Sequence, residues 1–143
     1  MKLNKALELF LNERPVIVDS RTIEAESVDH IRLESGEDVF WIHGEGGIWV
    51  SIDQNSEEVM LFQEIVADLE AYDETLEYRG VDYEFTYEEG GKVKDEDGEE
   101  IDRVDFKEYE ADGEIIRIAE FEVSGEKITL VGRRLTEDDL QEV

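Results

Sequence analysis

Between Ile31 and Asp53 the chain reads IRLESGEDVFWIHGEGGIWVSID, and this run restricts the fold more tightly than any other. It predicts three short strands joined by two tight turns. Ser35-Gly36 marks the first turn and Gly44-Glu45-Gly46-Gly47 the second; glycine supplies the positive φ that tight hairpins need. Ile48, Val50 and Ile52 alternate with Trp49, Ser51 and Asp53. That period of two predicts a strand with one buried and one partly wet face. Val39-Phe40-Trp41-Ile42 is apolar on both parities, the pattern of a central strand covered on both sides.

The flanking sequence extends this pattern. Leu3, Leu7 and Leu11 fall at helical spacing, which predicts a helix over Leu3 to Asn12, capped by Asn4 and ended before Pro15. Val16-Ile17-Val18 starts a strand, and a run through Ile23 and Val28 leads into the hairpins. Val59 to Phe62 reads as a strand, while 64–72 fits helix or strand equally. The second half is hairpin after hairpin. Tyr83, Phe85 and Tyr87 alternate with polar residues, and Val104, Phe106 and Glu108 alternate with Asp105, Lys107 and Tyr109. Turns are expected at Arg79-Gly80 and Asp112-Gly113, and Gly90-Gly91 and Asp97-Gly98 bracket an acidic connector. Ile115 to Val123 pairs with Lys127 to Val131 across Ser124-Gly125, and Thr136 caps a last short helix through Leu140.

Charge narrows the function classes. The chain of 143 residues carries 41 acidic and 14 basic side chains, a net charge of −27. Such a surface repels phosphate backbones and anionic membranes, so direct nucleic-acid binding and membrane insertion are not expected. It favours cationic partners: basic proteins, polyamine-like cations, divalent metals. There is no cysteine, which excludes disulfides, thiolate metal sites and cysteine catalysis. The N-terminal segment is a poor signal peptide, because Glu8 interrupts its short apolar run. A cytoplasmic location is the expectation.

Motif by motif, little chemistry appears. KDEDGEEID (94–102) resembles an EF-hand loop in composition. With Gly98 at loop position 6, however, Val93 and Val104 occupy positions 1 and 12, where oxygen ligands are required. His30 and His43 are the only histidines, and neither sits in a paired metal spacing. His43 stands at a strand end beside Glu45, as a general base or a surface histidine would. GxSxG, GxGxxG and Walker A patterns are absent, so no nucleophile elbow and no cofactor are expected. The Gly44–Gly47 run precedes a strand, not a helix whose N-terminus could hold phosphate. Exposed aromatics beside acids could hold an amine or a basic peptide by cation–π attraction and charge.

Taken together, FWIHGEGGIWVSID followed by EEVMLF, then YRGVDYEFTYEEGGKV (78–93), FKEYEADGEIIRIAEF (106–121) and LVGRRL (130–135) resemble the prokaryotic family called domain of unknown function 4178. The resemblance spans roughly 14–136. It implies a β-rich domain with no established activity, and its motifs are structural, so it supplies no functional residues.

The expectation is a single, mainly β domain over 1–143. Antiparallel meanders, about 14–62 and 75–134 with a boundary near 63–74, pack as a sandwich or partly open barrel, with short helices at both termini. The favoured function is a non-enzymatic accessory or binding module that takes a protein or cationic partner through an acidic surface. Trp41, His43, Trp49, Asp95, Asp97, Glu99 and Glu100 are the candidate binding residues. The competing classes are an enzyme using His43 with nearby carboxylates and an acidic mimic of nucleic acid.

Overall fold

A computed structural model describes residues 1–143. The chain is mainly β: helix α1 (Leu3–Leu11) is followed by thirteen strands. Strands β3 (Ser27–Leu33), β4 (Asp38–His43), β5 (Ile48–Asp53) and β6 (Glu58–Ile65) form one antiparallel meander. Strands β9 (Val81–Lys94), β10 (Glu100–Ala111), β11 (Glu114–Phe121) and β12 (Lys127–Leu135) form a second. β12 pairs with β6 and β9 with β3, so the meanders close into an eight-stranded antiparallel barrel. Closure removes the free edges that an open sheet would expose.

Each seam between the meanders carries a glycine. Gly132 lies opposite Phe62; a Cβ there would sit 1.9 Å from the Leu61 carbonyl oxygen. Gly91 lies opposite Leu33; a Cβ there would sit 2.8 Å from the Arg32 carbonyl oxygen. The backbones approach too closely at both seams for any side chain. Gly90-Gly91, expected to open a connector, therefore runs inside the continuous strand β9.

Alternation sorts the side chains into three cores. Ile31, Val39, Trp41, Trp49, Met60, Phe62, Val93, Val104, Phe106, Ile115 and Leu130 belong to the cluster that fills the barrel. The opposite parity of the first meander (Ile42, Val50, Ile52, Val59, Leu61) faces outward. There it packs under α1 and a small sheet of β1 (Val16–Val18), β2 (Arg21–Ile23) and β13 (Leu140–Glu142). This is why Val39–Ile42 is apolar on both faces. The third cluster covers the outside of the second meander. Strands β7 (Ala71–Tyr72) and β8 (Thr75–Tyr78) pair onto the start of β9, and Leu76 and Tyr83 pack on Tyr109 and Ile116. Tyr83 donates its hydroxyl to Glu114 Oε1 at 2.7 Å; burial and that carboxylate push the phenol up to about 12.

Two local expectations change, at Asn4 and at the C-terminal helix, and the open 64–72 stretch resolves in favour of strand. Lys2, not Asn4, precedes the first helical turn and makes no side-chain cap; Asn4 lies in the helix and accepts from Gln54 Nε2 at 2.9 Å. The C-terminal helix is a single 3-10 turn, Glu137–Asp139, within a Thr136–Asp139 capping box. Leu140 is then drawn into β13 by pairing with Val18. The 64–72 stretch holds the end of β6 and the short strand β7, and no helix.

Candidate functional site

One mouth of the barrel opens where β3 meets β4 and β5 meets β6. A cavity of about 370 Å³ enters there, within the size range of small-molecule sites. Trp41, Phe106 and Tyr87 supply aromatic wall, and Leu33 and Val39 aliphatic wall. Asp53, Glu58, Glu108, Glu110, Arg117 and Arg134 supply charge.

At the inner end lies a buried ion pair. Arg117 and Glu108 side chains are each 5% exposed. Arg117 donates Nε (2.8 Å) and Nη2 (2.7 Å) to Glu108 Oε2, and Nη1 to Ser51 Oγ at 2.9 Å. Its guanidinium lies 4.8 Å from the Trp41 and Phe62 ring centroids and 5.2 Å from that of Phe106. A planar, weakly hydrated cation suits such an aromatic box better than an ammonium would. Thr86 donates to the Glu108 carbonyl oxygen at 3.3 Å. A bulge follows Glu108 in the pairing of β10 with β9. The extra residue is Thr86 on β9, since Glu108 faces Tyr87 and Tyr109 faces Phe85. It shifts the parity of β9, so that Phe85 packs on the outer cluster while Tyr87 lines the cavity. β10 keeps its alternation, with Tyr109 outward and Glu110 in the cavity wall.

The rim is acidic. Arg134 bridges Glu110 and Glu58, and its guanidinium holds the Glu110 carboxyl below the usual carboxylate range. No ion pair reaches Asp53. Asp53 Oδ1 instead accepts from the backbone N–H of Asn55 (3.0 Å) and Ser56 (3.2 Å). Neighbouring Asp53 pushes the Glu37 carboxyl up. Burial, reinforced by its hydrogen bond to Glu89 (2.8 Å), pushes the Tyr87 phenol up.

The residues picked from sequence are distributed between this mouth and the other end. Trp41 is buried inside the barrel, edge-on to Phe106 at 5.1 Å, and lines the cavity. Trp49 is also buried, near the opposite end. It stacks on His43 at 4.4 Å and donates Nε1 to Glu64 Oε1 at 2.9 Å. His43 makes no side-chain hydrogen bond; the histidine with a carboxylate partner is His30, on Asp38 at 2.8 Å. Asp95, Asp97 and Glu99 lie in the turn from β9 to β10, and Glu100 begins β10, at the end of the barrel away from the cavity. There Asp95 Oδ1 accepts from the Asp97 and Glu99 N–H groups, both at 2.9 Å. The carboxylate therefore organises its own turn.

Arg117, Glu108 and Arg134 were not picked out from the sequence, although parity carries a signal for two of them. Arg117 shares its parity with Ile115, Ala119 and Phe121, and Glu108 shares its parity with Val104 and Phe106. A lone charge on an otherwise apolar strand face is the mark of a buried pair, but parity does not name the partner.

The architecture is a closed antiparallel barrel with an acidic mouth cavity and a buried guanidinium–carboxylate pair. Among known proteins, no family model, curated protein or solved structure matches the chain.

Proposed function

We propose that this chain is a non-enzymatic binding module whose acidic barrel mouth receives a cationic partner. The observation that carries the reading is the charge balance of the mouth. Four carboxylates face two guanidiniums around one aromatic-walled cavity. Glu37 and Asp53 stand together on the rim, with Asp53 raising the Glu37 carboxyl. A cation entering there relieves like-charge repulsion and covers apolar wall in the same step. The overall charge of −27 steers such a partner toward the protein.

A fluorescent basic peptide titrated at low and at roughly physiological salt tests this. Rim variant Glu37→Gln/Asp53→Asn is expected to slow association at least about threefold and flatten its salt dependence. Neutralising Asp95, Asp97, Glu99 and Glu100 together is expected to leave association close to wild type. The reverse pattern would place the partner on the opposite end and overturn the reading.

A further inference from the structure

We infer that the mouth recognises a guanidinium group carried on a short apolar stem, and that Arg134 holds the ligand's place when it is absent. The inference deepens the reading of the mouth as a cation site and rests on it. Arg134 shows what the rim fits. Its Nη1 and Nη2 face the two oxygens of Glu110, the Nη2 contact being 3.5 Å, and its Nε reaches Glu58 Oε2 at 3.4 Å. The carboxylates come from β10 and β6, so strands from both meanders converge on one planar fork. That geometry suits a guanidinium and wastes an ammonium. The Arg134 side chain is 45% exposed, so its hold is that of a surface ion pair and can be displaced.

A second, independent feature points to a ligand. Both Arg117 contacts to Glu108 fall on Oε2. Oε1 has no protein partner, yet no buried side-chain oxygen is left unsatisfied; Oε1 is therefore open to the cavity. Glu108 is otherwise enclosed, so Oε1 is the one part of this buried carboxylate that a ligand in the cavity can reach, and it accepts a hydrogen bond from a donor placed there. Glu108 and Glu110 lie two residues apart on one strand, roughly 7 Å along it, which is about the reach of a four-carbon stem. The ligand class is thus a guanidinium at the rim, an aliphatic stem against Phe106 and Tyr87, and a neutral donor at the inner end.

Calorimetric titration with 4-hydroxybutylguanidinium and with butylguanidinium tests the assignment. The hydroxyl compound is expected to bind about three- to tenfold tighter, the worth of one hydrogen bond. Arg134→Gln removes the competitor from an exposed position, and it is expected to tighten both compounds about threefold. Glu110→Gln is expected to weaken both. Equal affinities for the two compounds, or an Arg134→Gln variant that binds no tighter than wild type, would overturn the inference. If the basic peptide binds wild type in a salt-sensitive way while neither guanidinium does, the inference falls and the cationic-partner reading survives. If none binds, both fall.

Discussion

Glu108 and Arg117 are placed where a charge is most expensive, inside a barrel lined with Trp41, Phe62 and Phe106. Desolvation of such a pair can exceed its mutual attraction. The pair therefore does not have to stabilise the fold, but each half depends on the other. Arg117→Met leaves Glu108 uncompensated, and the expected cost is about 3–5 kcal/mol. Arg117→Met/Glu108→Met removes both charges and is expected to recover most of that loss. Urea midpoints of the two variants check this. A double variant no more stable than the single one would mean that packing or the Ser51 contact, not charge pairing, decides the site.

At the level of elements, the barrel depends on its two seams more than on its hairpins. A hairpin is local and its turn chemistry is legible: Arg79-Gly80 and Asp112-Gly113 both sit at positive φ, as two-residue turns between twisted strands require. The β6–β12 seam joins residues some 70 apart in sequence, Phe62 and Gly132. It closes only because Gly132 has no side chain to meet the Leu61 carbonyl. Gly132→Ala is expected to cost about 3 kcal/mol or more, as severe overpacking does. Gly98→Ala has open space and only its positive φ against it, so its cost is expected near 1–2 kcal/mol. Denaturant melts of the two variants rank them. If Gly98→Ala proves the more damaging, the seam is not the tight point of the barrel.

Across the whole molecule, ten of the 41 carboxylates are engaged in ion pairs. The rest repel one another over a compact surface, which destabilises the folded state relative to the expanded chain. Raising monovalent salt toward roughly 1 M shortens the screening length to about 3 Å, and the melting temperature is expected to rise. A melting temperature that stays flat or falls would show that the acids are spaced widely enough for their repulsion to be negligible. The same screening weakens capture of a basic partner, so stability and binding are expected to move in opposite directions with salt.

By itself, the sequence determined the local structure of this protein. Period-two alternation in Ile48–Asp53 and Tyr83–Tyr87, together with Gly-containing turns, specifies antiparallel hairpins, because pleat and turn geometry act between neighbours in the chain. Composition determined that the surface is acidic and that thiol chemistry is absent. Only the tertiary structure decided that the two meanders close on each other, because closure rests on contacts between distant strands and on clearances such as those at Gly91 and Gly132. It also decided the candidate site. Ser51, Glu58, Glu108, Arg117 and Arg134 come from β5, β6, β10, β11 and β12, and no spacing in the chain records that five separate strands turn them into one cavity. Among 41 acids, a carboxylate that matters differs from one that merely dissolves the protein in its depth and its partner. Both are properties of the packed barrel.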